Sequence, residues 1–408
     1  MQNLKLGMGQ ALLEELRKGS TKSAMVKRRI ITYLICNGKA TITDLSKDMD
    51  LSVPTVTKFV DEMIEDGYVL DNGKLETSGG RYPNLYGLCA NAAYFLGVEV
   101  ARDFYSIGVS DFQGNMLHQV LRVPFQRENT LACVDQLCNA INEFVDGHQL
   151  DRSKIMNVCV SLAGRVNSET GFSYSFFKFG DTSLRDLLIE RIGLPVEIEN
   201  DSRVMAYGEY MRGNFKDVKN LIYINAGWGL GMAIIIDGKL YRGMSGFSGE
   251  FGHNYGYDNQ QICHCGKKGC IETEVSCSAL YRKFVERLNN GESSILLREK
   301  KIEEIEISDI LSAINREDVL GIELVEEIGG ELGRHIGCLI NIFNPELVII
   351  GGDLSKAGGY LLHPVIAAIR KYTLNLMYRD SDILLAKLQD DSNVVGACLL
   401  GRTNLFTV

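Results

Sequence analysis

A chain of 408 residues is longer than one hydrophobic core usually serves, so two or three domains are expected. Its 45% hydrophobic and 23% charged residues exclude the disordered and fibrous classes. The formal net charge of −9 is uneven: residues 1–85 hold 12 Lys+Arg against 11 Asp+Glu, and the remainder 31 against 41. The acidic body would repel nucleic acid, so any DNA contact must come from the N-terminal segment.

That segment opens with MQNLKLGMGQALLEELRKGS, which has neither an apolar core nor a small-residue cleavage site of a secretory signal. The longest apolar run, LIYINAGWGLGMAIII, is interrupted by Asn225 and by glycines, and falls short of the roughly 20 residues a membrane helix needs. The expected location is therefore cytoplasmic, with no membrane partner. In that reducing compartment eleven cysteines are not a disulfide framework. Cys36, Cys133, Cys138, Cys159, Cys338 and Cys398 sit singly in apolar segments and read as small buried hydrophobes.

Lys18, Lys22, Lys27, Arg28 and Arg29 form a local basic cluster. Across residues 24–36 Met25, Ile30, Tyr33 and Leu34 recur at helical spacing. Thr43 can cap a short second helix carrying Leu45 and Met49, and Asp50-Leu51-Ser52 makes a turn. Ser52 is a good N-cap, with Pro54 in the first turn of a third helix that buries Val56, Val60, Met63 and Ile64 and ends at Gly67. Two short helices joined by a tight turn describe a helix-turn-helix. The Asn72-Gly73 pair predicts a hairpin, hence a wing, with Gly79, Gly80 and Arg81 at its tip. Such a module can mediate protein contacts alone. The combination of helix and wing favours DNA, with Ser52, Thr55, Thr57 and Lys58 facing bases and phosphates and Arg81 in the adjacent minor groove.

From Ala93 the pattern changes. FLGVEV, YSIGVSD and NMLHQVLRVPF read as strands, followed by a helix over 130–147 and the buried strand IMNVCVSLAG. A second set follows: VEIEND, a helix over 202–211, the strand LIYINAG, the hairpin MAIIIDGKLY and the strand ELVIIGGDL. Strand triplets followed by crossover helices, occurring twice, predict two α/β lobes with a ligand cleft between them. The highly charged residues 286–318 read as a solvated helical excursion. Within GHNYGYDNQQICHCGKKGCIE, His253, Cys263, Cys265 and Cys270 crowd one glycine-bearing loop. The choices are a disulfide knot, a redox centre, a metal site or an accident.

Taken in order, VSLAGRVNSETG, VEIENDSRVMAYGE, GEFGH, CHCGKKGCIE and NPELVIIGGDLS resemble the ROK family of repressors, open reading frames and sugar kinases. The resemblance runs from about residue 90 onward, and the winged helix with its SGGRYP tail is similar to that of the family's sugar-responsive repressors. It implies an α/β protein: an N-terminal winged helix domain, residues 1–85, followed by a two-lobed actin-like ATPase (ribonuclease H-like) fold. The first lobe would span 90–199, completed by a C-terminal helix over 393–408. The second would span 200–392 and carry the loop of cysteines.

For that loop the C-x-C-x₄-C spacing suits Cys₃His ligation of a structural Zn²⁺ by His253, Cys263, Cys265 and Cys270. His264, between two ligands, is expected to point away. The absence of C-x-x-C argues against redox chemistry. In the family the zinc orders a sugar pocket, and the ligand imidazole can turn its second nitrogen to a sugar hydroxyl. The implied sugar contacts are Gly164, Arg165, Asn200, Asp201, Glu250, His253 and Glu272, with Asp201 where the family's kinases keep their general base. Taken alone, Asp201 also reads as a helix N-terminal carboxylate beside Ser202.

Family kinases open the first lobe with Asp-x-Gly-Gly-Thr, whose amides approach ATP phosphates. Here Glu99 and Ala101-Arg102-Asp103 stand in that place. The second phosphate loop reads Gly227-Trp228-Gly229, while IIGGDLS survives. The expectation is a transcriptional regulator, a repressor, responding to a hexose, an N-acetylhexosamine or their phosphates. It would bind operator DNA as a homodimer or homotetramer and no longer act as an enzyme. The alternative is an ATP-dependent sugar kinase with an inherited DNA-binding domain, using Asp201 as its catalytic base.

Overall fold

Three helices and a two-stranded wing make the N-terminal head of the computed structural model, which describes residues 21–74, 83–213, 215 and 217–406. Helix α1 (Lys22–Asn37) starts at Thr21, whose hydroxyl accepts the Ala24 amide at 3.2 Å. Helix α2 (Ile42–Met49) is capped by Thr41, not by Thr43: Thr41 and Asp44 exchange side-chain and backbone hydrogen bonds in a reciprocal box, which leaves Thr43 inside the first turn. Helix α3 (Val53–Glu65) starts at Ser52 as expected and buries Val56, Val60 and Met63.

The wing pairs β1 (Val69–Lys74) with β2 (Asn84–Leu88), antiparallel. Asn72-Gly73 is not the hairpin turn. It lies within β1 where the register shifts, with Gly73 at φ 84° and its amide donating to Asp71 Oδ1 at 2.8 Å. A local Asx contact has made a bulge out of a turn signal. Gly79, Gly80 and Arg81 lie outside the described residues, as does Lys18. In the rest of the basic cluster Lys22 and Arg29 are exposed, Arg28 is half-buried and only Lys27 is buried, while Lys27 and Arg29 both have partners within the head. Lys27 is buried against Glu62 at 2.9 Å and Asp66 at 3.8 Å, and Arg29 donates to the carbonyls of Met49 and Asp48.

The described chain forms two compact units, one running to Val204 and resuming at Asn393, the other Met205–Ser392. In the first, β3 (Tyr94–Val100), β4 (Phe104–Asp111) and β5 (Met116–Pro124) form an antiparallel set. Helix α4 (Leu131–Gly147), capped by Thr130, crosses over to β6 (Ile155–Leu162), every residue of which is buried. A short hairpin of β7 (Val166–Asn167) and β8 (Phe172–Ser173) precedes α5 (Leu184–Ile192), β9 (Val196–Asn200) and the start of α6 (Asp201–Arg212). The sheet order is β5-β4-β3-β6-β9, with β3, β6 and β9 parallel, because the two helices supply the crossovers that parallel pairing needs.

The second unit repeats this plan. Strands β10 (Leu221–Ala226), β11 (Leu230–Ile236) and β12 (Lys239–Leu240) are antiparallel, the last two joined by Asp237-Gly238, both at positive φ. After the cysteine loop come α7 (Glu272–Val275), α8 (Cys277–Asn289), α9 (Ile307–Asn315) and α10 (Val319–Phe343). Then β13 (Leu347–Gly351), α11 (Gly359–Tyr372), α12 (Asn375–Asp380) and β14 (Asp382–Leu385) complete the sheet, in the order β12-β11-β10-β13-β14. The charged stretch 286–318 is not an excursion. Leu288, Leu296, Ile305, Ile310, Leu311 and Ile314 are buried in the unit's main core, and most of the charged residues are exposed, Asp318 being buried as the cap of α10. Among the described residues no helix is long and apolar enough to cross a membrane.

Helix α10 packs on α11 through glycines. A Cβ at Gly333 would collide with the Val365 carbonyl and the Ala368 side chain, whereas one at Gly330 meets nothing within 4 Å. Neighbouring substitutions should therefore act in opposite directions. Gly330→Ala is expected to stabilise by up to about 1 kcal/mol through helix propensity, and Gly333→Ala to destabilise by about 1–3 kcal/mol through overpacking, read as denaturant midpoints. A shared sign would refute the packing described.

Helix α13 (Ser392–Phe406) returns to the first unit. Its Cys398 thiol donates to the Gly108 carbonyl at 3.6 Å and Arg402 donates to the Phe112 carbonyl at 3.1 Å. At its far end, the Phe406 carbonyl accepts from Thr32 of α1 at 3.3 Å, and the Phe406 ring lies 5.7 Å from Phe112, itself 6.2 Å from Tyr68. The head is thereby joined to the body through α13. Of the singly placed cysteines, Cys133, Cys138, Cys159 and Cys398 are buried, but Cys36 and Cys338 are exposed on helix faces that the apolar context had suggested were internal.

Candidate functional site

The site residues expected from the sequence fall on α3, around the β9–α6 junction and in or beside the cysteine loop. On α3, Ser52 and Lys58 are exposed and Thr55 and Thr57 are partly so, all near its N-terminal end. Arg81, the fifth expected contact, lies outside the described residues.

In the first unit, Asn200 and Asp201 sit at the junction of β9 and α6. Asp201 Oδ1 accepts from the Ser202 amide at 2.7 Å, the Ser202 hydroxyl at 3.3 Å and Asn200 Nδ2 at 2.9 Å. Asn200 Nδ2 also donates to the Gly164 carbonyl at 3.0 Å, tying the 164–165 loop to the pair. Beneath them Arg203 and Glu199 form a buried ion pair of 2.7 Å, and Arg203 reaches the Val166 carbonyl at 3.3 Å. Every partner is satisfied, as a buried pair must be. Arg165 is exposed. Burial raises the Asp201 carboxyl above its ordinary range, against the pull of the Ser202 amide and hydroxyl. The reading of Asp201 as a helix N-terminal carboxylate thus describes its geometry and leaves its second role open.

Glu99, at the end of β3, is held where neither composition nor spacing foretold. Ser106 donates to it at 2.9 Å and Asn393 of α13 at 2.9 Å, and Ser161 donates to Asn393 Oδ1 at 2.7 Å. Burial pushes its carboxyl up to about 7. The following turn is closed by the Ala101 amide on the Phe104 carbonyl, with Arg102 and Asp103 both outward and 3.7 Å apart. In the second unit Trp228 occupies the turn after β10, 43% exposed, its indole 6.2 Å from Tyr281.

The cysteine loop brings His253, Cys263, Cys265 and Cys270 together, with one donor atom from each within 4.8 Å of the others. His253 Nδ1 is 3.5 Å from Cys263 Sγ, and Cys265 Sγ is 3.6 Å from Cys270 Sγ. A tetrahedral ion with thiolates at about 2.3 Å has sulfur–sulfur edges near ~3.8 Å, so these separations fit a four-coordinate metal, and no disulfide intervenes. The other nitrogen, His253 Nε2, is 3.7 Å from Glu250, which leaves the two nitrogens divided between the thiols and a carboxylate. Glu272 opens α7 and is buried, accepting the Leu230 amide at 2.9 Å and the Cys263 thiol at 3.4 Å.

His264 does not point away. Its Nδ1 lies 2.8 Å from Glu272 and its ring stands edge-on to His253 at 5.0 Å, because the carboxylate draws the exposed imidazole back across the loop. A supporting cluster escaped sequence reasoning altogether. Tyr257 donates to Glu331 at 2.9 Å, Arg334 donates to the same carboxylate at 2.8 Å, and His335 Nε2 lies 3.2 Å from the Tyr257 hydroxyl. These residues dock the loop on α10, and burial beside Arg334 lowers His335 to about 4, so it is neutral. Only the i, i+3 and i+4 spacing of Glu331, Arg334 and His335 hinted at a polar stripe on one face of the helix.

Comparison with known proteins now carries weight. The ROK family model matches residues 95–404, and a winged helix-turn-helix DNA-binding model matches residues 26–69. A xylose repressor of Caldicellulosiruptor bescii is 29% identical over 386 residues, covering 93% of this chain and 96% of the relative. A solved ROK family transcriptional regulator, a homologue of the Escherichia coli MLC protein, superposes with a TM-score of 0.80 at 27% identity, over 94% of this chain and 96% of that one. A ROK family glucokinase from Streptomyces griseus, solved with glucose and AMPPNP, gives 0.68 at 29% identity, over 76% and 99%. That shortfall in coverage of this chain is about the length of the head. A body with a duplicated βββαβαβ plan, a Cys₃His loop and a winged helix in front makes this chain a member of the ROK family that carries an N-terminal winged helix-turn-helix.

Proposed function

We propose that the protein is a sugar-responsive repressor of transcription that has lost kinase activity. The observation that carries the reading is the pairing of a winged helix with a sugar-kinase-like body whose two phosphate turns hold bulky or charged residues. Arg102 and Asp103 occupy the turn after β3, where phosphate oxygens would need bare amides, and Asp103 adds a like charge. Trp228 fills the corresponding turn after β10. The residues that bind sugar hydroxyls are Gly164, Arg165, Asn200 and Asp201 in the first unit and Glu250, His253 and Glu272 in the second. Zn²⁺ on His253, Cys263, Cys265 and Cys270 keeps the loop that carries Glu272 in place. The protein works in the cytoplasm as a homodimer or homotetramer on operator DNA. Sugar changes operator affinity because it binds one of two conformations more tightly.

The xylose repressor relative widens the sugar class to pentoses. The test is a thermal-shift screen over xylose, glucose, N-acetylglucosamine and the hexose 6-phosphates, run beside a coupled ADP-release assay on the same panel. One sugar should raise the melting temperature with no ADP released, and Asp201→Asn should abolish the shift. The kinase reading rests on the retained Asp201 and its raised carboxyl. Sugar-dependent ADP release that Asp201→Asn removes would establish it instead.

A further inference from the structure

The hydroxyls of α3 offered by the sequence as base readers are engaged within the helix itself. Thr57 Oγ1 donates to the Val53 carbonyl at 2.9 Å. Ser52 Oγ lies 2.8 Å from Thr55 Oγ1 and accepts the Thr55 amide at 3.4 Å. Apart from Lys58, the first two turns leave an apolar surface: Val53 is 50% exposed, and with the Pro54 ring and Thr57 it lines an open concavity along the helix.

The sequence of α3, VPTVTKFVDEMIE, contains no Arg, Asn or Gln. It therefore lacks the paired contacts that distinguish adenine, and Lys58 is its one charged side chain able to donate to guanine. Lys58 is its one cation, 71% exposed and 3.9 Å from Glu62. Asp61, Glu62 and Glu65 follow on the same concavity. Phosphates repel that acidic half, so the helix meets a duplex with its N-terminal end, where the positive end of the dipole also lies. Major-groove base edges offer one apolar group, the thymine 5-methyl.

We propose that α3 selects its DNA site through thymine methyl groups, packed against Val53, Pro54 and the Thr57 side chain, with Lys58 on a phosphate. This rests on the DNA-binding reading above and adds the base class that is read. To test it, duplexes bound by the full chain are selected from a random library. The enriched duplex is then remade with uracil for every thymine, which removes the methyls and keeps each hydrogen-bonding edge.

The expected consensus contains T·A pairs, and the uracil duplex binds about fourfold more weakly for each contacted methyl. Val53→Ala, at an exposed site where melting should be unchanged, is expected to bind the thymine duplex several-fold more weakly and to lose most of the preference over uracil. Equal affinity of the parent for both duplexes overturns the methyl assignment and leaves DNA binding intact. A preference undiminished in Val53→Ala also overturns it. A selection that enriches no duplex removes both readings.

Discussion

Replacing Cys265 by serine is expected to lower bound zinc from about one ion per chain to near none, with affinity falling on the order of 100-fold or more. Outer partners of a metal ligand alone are worth 10–100-fold, so the loss of a ligand exceeds that. The base of the loop is closed by backbone bonds, the Gly256 amide on the Gly269 carbonyl at 2.7 Å and the Ile271 amide on the Asn254 carbonyl at 3.0 Å. Its outer part, with Ile262 exposed, has shorter-range bonds such as the Cys263 amide on the Lys267 carbonyl at 2.8 Å. Tyr257 on Glu331 anchors one side and the Cys270 thiol on the His253 carbonyl at 3.7 Å the other, where a metal would also join Cys265 to Cys270. Because Glu272 follows Cys270 by two residues, the Cys265→Ser variant should lose the sugar-induced melting shift while its affinity for DNA stays within about twofold of the parent in the absence of sugar. Elemental analysis and melting curves report both. Unchanged metal content in the variant, or a parent protein purified with added zinc that holds none, would remove the metal from the account.

The second large effect is a pH dependence of stability centred on Glu99. A free glutamate titrates near 4.5, and burial has moved this one up to about 7. The folded state therefore holds a proton that the unfolded chain releases as pH rises through that window. Stability is greatest below about 4.5 on this account, falls as pH rises to about 7, and then levels off, a loss of roughly 3 kcal/mol. Glu99→Gln removes the titration and keeps the shape. Asn393 can still donate to the amide oxygen, and the Ser106 hydroxyl can turn to accept from the amide nitrogen. The variant should match the parent near pH 5 and exceed it by up to about 3 kcal/mol near pH 8, seen as a shift in denaturant midpoint by circular dichroism. A difference that is the same at both pH values would dispose of the buried proton.

What was legible in the sequence follows the range of the interactions involved. Ser52 was readable as a cap because its partner is three residues away, and the cluster of His253 with three cysteines was readable because it falls within eighteen residues. Asn72-Gly73 misled for the same reason in reverse: a local turn signal was satisfied by Asp71 inside the strand, and the chain turned later. Residues 286–318 looked solvated because charge dominates their composition. Leu296, Ile305 and Ile310 bury themselves at intervals too irregular for a single helical period, since two short 3₁₀ turns interrupt it. Glu99 with Asn393, 294 positions apart, had no sequence signature at all. The family resemblance supplied the place of Glu99 but not what holds it.

The seat of the head on α13 has a consequence for biosynthesis. Phe406, which contacts Thr32 and stacks near Phe112, is translated after the whole of Met205–Ser392. A ribosome adding 5–20 residues per second must deliver that entire unit before the first can be completed. Until α13 emerges the head holds the early contacts of Tyr68 with Phe112 and of Gln113 with the Leu88 carbonyl, and the finished chain adds Phe406 to them.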